Sequence, residues 1–235
     1  MRVDRARMPR EDAGASLRRI LANTPMFRVL DDVQLDAVAA ATCAMRLPGN
    51  ARVVSQGDTP KGMYLVVYGQ VRLGFDRPDG GEKTLAILGQ NKCFGLIETV
   101  LDQEYLATAR TSGDTMLLHM PPEVVTAAAW SNPEFARELM VCVSRQSYTL
   151  VRDIEEYSLR SARQRLASYL LRHAPEREGA YIELSVGKNV VASRLSLTPE
   201  TFSRLLHELS REGIVSVIGR RIRVLDNARL SAVAA

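Results

Sequence analysis

Three cysteines and three histidines in 235 residues leave little room for the chemistry those side chains usually carry. Cys43, Cys93 and Cys142 form no Cys-x-x-Cys pair. An odd count without regular spacing argues against a secreted disulfide framework and for a reducing compartment. His119, His173 and His207 are scattered, and no Ser/His/Asp order, metal-ligand cluster or phosphate loop accompanies them. A catalytic reading therefore has little to stand on, and the chain is not expected to be an enzyme. No stretch approaches the roughly 20 apolar residues of a membrane span. The start, Met1 to Asp12, alternates Arg with Asp and Glu and lacks an apolar core, unlike a signal peptide. A cytoplasmic protein without a membrane partner is expected.

What the chain does have is an ordinary globular composition, 46% apolar and 25% charged, with an uneven charge distribution. Residues 158–235 hold 13 Lys/Arg against 7 Asp/Glu, whereas residues 1–157 hold 18 against 20. The basic surplus lies entirely in the C-terminal third. A polyanion such as double-stranded DNA would meet its counter-charge there.

The texture changes along the chain. Leu17, Ile20 and Leu21, then Leu30, Leu35, Val38 and Ala39, predict two short helices after an Arg-rich tail. Nine of the fifteen glycines fall between Gly49 and Gly95. They separate β-rich runs at Arg52–Ser55, Met63–Tyr68, Gln70–Phe75 and Thr84–Leu88, with a hairpin turn at Asp79-Gly80-Gly81. Thr115–Met120 is a further strand before Pro121-Pro122. Many short strands between turn residues predict a sandwich or barrel.

A long helix is predicted to open near Ser131–Pro133. Ala136, Met140, Val143, Ser147, Leu150, Ile154 and Tyr157 recur along it at alternating spacings of four and three, a heptad seam suited to an identical partner helix. The other use of such a stripe is packing on the chain's own strands, but Phe135, Leu139 and Cys142 already supply a face for that.

Beyond Ser158–Ser161 a second helix presents Leu166, Ala167, Leu170 and Leu171 on one side. Glu176–Gly179 reads as a polar turn and Tyr181–Val186 as a strand. Lys188–Leu195 is a short helix, Ser196-Leu197 a tight turn, and Thr198–Arg211 a helix ended by Gly213. Ile214–Val217 and Arg221–Leu225 flank Gly219-Arg220 as a small wing. This is a winged helix-turn-helix, whose second helix would enter the major groove. Glu200, Ser203 and Arg204 share one face near that helix's start. A carboxylate can accept from cytosine, arginine can grip guanine at two points, and serine can do either, so these three are the candidates for base readout. Lys188, Thr198, Thr201, His207 and Arg220 are the candidates for the DNA backbone. The bland alternative for Glu200 and Arg204 is an ordinary i,i+4 ion pair on a solvated helix.

Several motifs in series resemble the CRP/FNR superfamily of bacterial transcription factors. They are Gln56-Gly57-Asp58, Tyr64-Leu65-Val66, Gly69-Gln70-Val71, Phe94-Gly95, the two helices up to Leu171, and the helix-turn-helix over Ala192–Arg204. The likeness covers about residues 17–228. It implies an α+β fold. A disordered basic tail (1–16) precedes a jelly-roll-like, cyclic-nucleotide-binding-like β-roll sensor (17–130). A dimerisation helix and hinge (131–160) and a winged helix-turn-helix domain (161–235) follow. It also implies a homodimer on palindromic DNA, most often an activator, with RNA polymerase as partner. Glu200-x-x-Ser203-Arg204 resembles the FNR and DNR branches, which points to TTGAT-like half-sites, whereas glycine stands at the place of Ser203 in the cyclic-AMP branch. Tyr105-Leu106-Ala107-Thr108-Ala109 also resembles the DNR type, and Ser196 replaces the usual turn glycine. The competing function class is a ligand-binding regulator that acts on a protein partner instead of DNA.

For the effector, the resemblance locates where cyclic AMP would need a carboxylate and a phosphate-binding pair. Leu96 and Leu106-Ala107 stand there, so cyclic AMP is not expected. No cysteine precedes Cys43, so an iron–sulfur cluster is not expected either. An apolar pocket of Phe94, Gly95, Leu96, Ile97, Tyr105, Leu106 and Ala107, closed by Tyr148 and Leu150 of the long helix, is expected instead. The DNR likeness implies haem-mediated sensing of nitric oxide, with Cys93 and His119 as the candidate axial ligands and strand alternation turning His119 toward solvent.

Overall fold

A computed structural model describes residues 10–78, 81–175 and 181–235. The expected turns at Asp79-Gly80-Gly81 and Glu176–Gly179, and the tail up to residue 9, lie wholly or in part outside them. The chain divides into two units. One comprises Met1–Gly81 with Leu85–Ser147, the other Glu82–Thr84 with Tyr148–Ala235.

The first unit begins with helix α1 (Arg10–Asn23), a short 3-10 turn (Pro25–Phe27) and α2 (Asp32–Ala41). Residues 10–16 are thus helical where a disordered tail was expected. Leu17 and Leu21 are buried one turn apart, and a helix nucleated there extends toward its N-terminus at little cost. Asp31 caps α2 by accepting from the Gln34 backbone N–H, while the Gln34 amide accepts from Asp31 in return.

Eight strands follow: β1 (Cys43–Leu47), β2 (Arg52–Val54), β3 (Met63–Tyr68), β4 (Val71–Asp76), β5 (Glu82–Leu88), β6 (Cys93–Phe94), β7 (Thr108–Thr111) and β8 (Thr115–Met120). They form two four-stranded sheets, ordered β1-β8-β3-β6 and β2-β7-β4-β5. Helix α3 (Leu96–Leu101) separates β6 from β7, and α4 (Pro122–Ser131) follows β8.

Alternation along β3 explains why two cores exist. Met63 and Leu65 point to one side, into a cluster with Leu21, Phe27, Leu118, Met120 and Phe135. Tyr64 and Val66 point to the other, into a cluster with Leu47, Val71, Phe94, Tyr105 and Leu117. The first core is closed by helices; its Phe27 and Phe135 rings lie 5.5 Å apart. The second lies among the strands. Gly69 makes the turn between β3 and β4 at a φ of 79°, and a Cβ there would meet the Asp114 carbonyl oxygen at 2.5 Å.

Helix α5 (Pro133–Leu159) contributes residues to both units. Phe135 and Leu139 are buried and Cys142 packs beside them, the inward face expected of them. The seam itself is narrower than its seven residues. Met140, Ser147, Leu150 and Ile154 are exposed, joined by Tyr148 and Val151. Ala136 and Val143 are half-buried, with Val143 packed against the helix-closed core, and Tyr157 is tied down by hydrogen bonds with Arg194. An α-helix turns 3.6 residues per cycle, so a strict seven-residue stripe drifts off one face of a straight helix.

The second unit contains α6 (Ala162–His173), β9 (Tyr181–Glu183), α7 (Lys188–Arg194), α8 (Pro199–Arg211), β10 (Val215–Ile218), β11 (Arg221–Val224) and α9 (Asn227–Ala234). The sheet order is β10-β11-β9. Leu166, Leu170, Ile182, Val191, Phe202, Leu209, Ile222 and Leu230 are among its fully or nearly fully buried apolar residues. Ser161 and Gln164 form a reciprocal cap at the start of α6. Helix α9, which packs on α6, was not anticipated, nor were β1, β6, β7, α3 and α4.

Candidate nucleic-acid interface

The face of α8 follows from its sequence spacing. Phe202, Leu205, Leu206 and Leu209 are buried, and their positions trace one side of a 3.6-residue period. Glu200, Ser203, Arg204 and His207 consequently stand on the opposite side, all exposed. The Thr198 hydroxyl accepts from the Thr201 backbone N–H at 3.2 Å and caps the helix, and Pro199 occupies the first turn, where its missing N–H is not needed. Thirteen residues give a rod roughly 20 Å long, narrow enough for a major groove about 12 Å wide.

The three candidate base readers are therefore brought together on one solvent-facing surface. Glu200 is held below the usual carboxylate range by its own backbone N–H and then by the Thr198 hydroxyl, so it is an acceptor at neutral pH. Arg204 donates to the Glu208 carboxylate at 3.0 Å, one turn on. Glu208 also faces Arg163 at 3.8 Å, and Arg163 binds Glu212 at 2.6 Å. The Arg204 guanidinium is 66% exposed, so its pairing with Glu208 is the solvated kind worth about 0.5 kcal/mol. A two-point contact with guanine is worth about 1–3 kcal/mol and can replace it.

The preceding turn carries backbone strain. Ser196 has a φ of 55°, the left-handed conformation that a glycine takes more easily. Arg165 holds the turn, donating from Nε to the Leu195 carbonyl at 2.9 Å and from Nη1 to the Arg160 carbonyl at 2.8 Å. Leu197 N–H donates to the Ala192 carbonyl at 2.9 Å and closes the turn from the other side.

The candidate backbone contacts are less uniform. Thr198 and His207 are exposed, while Thr201 and Lys188 are half-buried. Lys188 is the first residue of α7, where a cation opposes the helix dipole unless an anion is near. Arg220 lies in the wing, but its Nε and Nη2 both donate to the Leu184 carbonyl, at 3.1 and 2.6 Å. Its first task is to fasten the wing turn, and only part of its guanidinium faces outward.

Two further ion pairs, without a local sequence signal, brace this unit. Arg194 binds Asp153 at 2.6 Å, and its guanidinium and the Tyr157 hydroxyl share a hydrogen bond. Arg172 binds Glu156. Burial pushes Glu156 up, and the Arg172 guanidinium together with the charges of Arg160 and Arg152 more than offsets this, leaving the carboxyl below its ordinary range. The partners lie 41 and 16 residues apart, so no local spacing announces them.

The residues named for an effector pocket do not share one lining. Phe94 stacks on Tyr64 with ring centroids 4.9 Å apart, and Tyr105 is buried in the same inter-strand core. Leu96 belongs to the helix-closed core instead. Gly95, with a φ of 81°, starts α3, where Ile97 is half-buried. Leu106 is 72% exposed and Ala107 half-buried. Tyr148 and Leu150 are exposed and belong to the other unit. The expected pocket is corrected accordingly: the aromatic residues fill the roll's own interior. A cavity of about 260 Å³ does open elsewhere in this unit, lined by Arg19, Asn23, Thr24, Val67 and Asn91 among others.

Haem was the expected cofactor, and the two candidate ligands do not fit it. His119 lies opposite Met116, Leu118 and Met120, as alternation predicts, but it is half-buried. Its ring leans on Tyr64 at 4.8 Å, and its Nε2 donates to the Lys61 carbonyl at 2.7 Å. The Cys93 sulfur is engaged with Cys142. Among the described residues no three His, Cys, Asp or Glu side chains gather as a metal site. No described helix is long and apolar enough to cross a membrane.

Comparison with known proteins agrees with the two-part architecture. The profile of the Crp-like helix-turn-helix domain matches residues 164–233, and that of the cyclic nucleotide-binding domain matches residues 44–129. The chain is 28% identical to the cyclic AMP receptor protein of Thermus thermophilus, over 91% of this chain and 98% of that one. It is 27% identical to the transcriptional activator protein FnrA of Stutzerimonas stutzeri, over 76% and 75% of the two chains. The structure of FixK2 from Bradyrhizobium japonicum has the same fold, with a TM-score of 0.74 at 22% identity, over 83% of this chain and 98% of that one.

Proposed function

Given that the chain belongs to the CRP/FNR family of transcription regulators, we propose that it works as a homodimeric, sequence-specific DNA-binding protein reading TTGAT-like half-sites. The observation that carries this reading is the outward face of α8, where Glu200, Ser203 and Arg204 converge above a buried apolar stripe. Glu200 accepts from a cytosine amino group, Arg204 grips guanine, and Ser203 supports either. Ser203 in place of glycine favours the FNR and DNR type over the cyclic-AMP type. Thr198, Lys188 and the outward part of Arg220 contact phosphate.

The dimer forms along α5. Met140, Leu150, Val151 and Ile154 expose an apolar stripe that a monomer would leave in water. Two-fold symmetry of the protein then matches the palindrome of the operator. The protein acts as an activator and meets RNA polymerase once bound. Its input is a small-molecule or redox signal of the nitric-oxide or oxidant kind, received in the roll. Cyclic AMP is disfavoured because Leu106 and Ala107 offer its phosphate neither charge nor donor side chain, and haem because His119 and Cys93 are committed elsewhere.

The test is a binding titration of the full chain against a duplex with two TTGAT-like half-sites and against a scrambled duplex, at two salt concentrations. Preference for the palindrome, with affinity falling steeply as salt rises, supports the reading. Equal binding to both duplexes, or none, overturns it and favours a regulator that acts through a protein partner.

A further inference from the structure

The thiols of Cys93 and Cys142 are 2.9 Å apart, although 49 residues separate them in sequence. Cys93 sits on β6, whose register places it opposite Leu65 of β3, and it is only 2% exposed. Cys142 lies on the inward face of α5 and is half-buried. Gln146, one helical turn on, donates to the Cys142 sulfur at 3.4 Å and to the Cys93 carbonyl at 3.3 Å, which fixes the helix against the strand at this point. A disulfide needs its sulfurs about 2.05 Å apart, so the pair closes with a movement of roughly 1 Å. A structural metal would need more donors than two thiolates, and no third ligand group gathers there among the described residues.

We propose that Cys93 and Cys142 form an oxidisable dithiol site that takes a peroxide and closes to a reversible disulfide between the roll and α5. The Cys142 sulfur is the attacking group. The Cys93 thiol donates to it, and Gln146, Lys92 and Arg145 add to the effect, so its pKa falls to about 7. Its proton is lost first. The hydrogen bond with the Cys142 sulfur and then burial push Cys93 up, so that thiol keeps its proton.

The Cys142 thiolate attacks a peroxide oxygen and the O–O bond breaks. Hydroxide leaves and takes up a proton as water, and Cys142 becomes a sulfenic acid. The Cys93 sulfur then attacks the Cys142 sulfur, the S–O bond breaks, and the departing hydroxyl leaves as water with the Cys93 proton. Two thiols lose two electrons in all, and one hydrogen peroxide becomes two waters. A dithiol reductant reverses the process. The bond would lock the first half of α5, the helix with the exposed dimer stripe, onto the roll. Any link to DNA binding rests on the redox reading of the input given above; the thiol chemistry does not.

The experiment uses the full chain with Cys43→Ser, which removes the exposed third thiol and leaves the pair intact. Hydrogen peroxide near equimolar is expected to lower the intact mass by two hydrogens and the titratable thiols from two to none. Dithiothreitol should restore both, and peptide mapping should join Cys93 to Cys142. Adding Cys142→Ser should abolish the mass loss. Persistence of two free thiols, or oxygen addition without a Cys93–Cys142 link, would overturn the proposal, and that result is read on a chain whose pair is unaltered. The same oxidised and reduced samples are then titrated with the palindromic duplex, where a change of threefold or more in affinity is expected. A disulfide that forms without changing affinity upholds the dithiol site and removes the redox input. No disulfide removes the site and leaves the DNA-binding reading standing.

Discussion

Helix α8 and the β-roll treat their candidate functional residues in opposite ways. On α8 the apolar residues are inside and the polar trio outside, so the side chains with recognition chemistry contribute little to folding. In the roll, Phe94, Leu96 and Tyr105 are inside two separate cores and contribute to the fold itself, while Leu106 is largely exposed. A DNA-reading surface must be ready before its ligand arrives, because the duplex meets it from outside. Recognition positions on α8 should therefore change binding without changing stability, and the aromatic positions of the roll should do the reverse.

The largest effects should come from the cores. Phe202→Ala removes a fully buried ring under α8 and should cost about 3–5 kcal/mol, lowering the melting temperature and abolishing DNA binding together. A variant that melted like the parent would break the distinction between the two faces of that helix. Asp153→Ala should come next, at about 3 kcal/mol, because it leaves the Arg194 charge mostly buried without its carboxylate. Melting curves check both.

The Arg172–Glu156 pair adds a pH-dependent contribution. The folded carboxyl titrates below its unfolded value. Its stabilisation is thus complete above the unfolded value, around pH 4–4.5, and is lost as pH falls through the lower folded value. The melting-temperature gap between the parent and Glu156→Gln should be wide at neutral pH and close in acid. A gap that widened in acid would reverse the assignment. At the small end, Leu106→Ser should change stability by less than about 0.5 kcal/mol, since that side chain already faces water. A larger loss would mean that Leu106 is covered in the working protein.

How much of this was legible in the sequence depended on how local the signal is. Met63–Tyr68 and Thr115–Met120 are legible to the residue, the first as a β-branched and aromatic run between Gly62 and Gly69, the second as a short, mostly apolar run stopped by Pro121. The helix-turn-helix was legible through the Thr198 cap, Pro199 and the apolar spacing of α8. Strand β1, Cys-Ala-Met-Arg-Leu, has no β-branched residue and was missed; it exists because β8 lies beside it, with Ala44 opposite Leu118. Helix α9 has a local signal, the cap Asp226 four residues before Leu230, with Ala234 one turn further on. The seam on α5 was half legible. Its period is visible in sequence, but only packing reveals that Val143 and Tyr157 turn inward while Tyr148 and Val151 stay exposed. The effector pocket is dispersed for a related reason: only Phe94 lies in a strand, Leu96 at the start of α3 packs in the helix-closed core, and Leu106 on the loop before β7 faces water. The meeting of Cys93 with Cys142 has no sequence signal at all, since it depends on how α5 lies across β6.

The most direct test is to titrate the parent and Arg204→Ala against a palindromic TTGAT-like duplex and a set in which each half-site base pair is changed in turn. Arg204→Ala should lose about 1–3 kcal/mol on the parent duplex and become indifferent at one base pair, while melting at the same temperature as the parent. Unaltered half-site preference in Arg204→Ala would contradict the assignment of the α8 face as the surface that reads DNA.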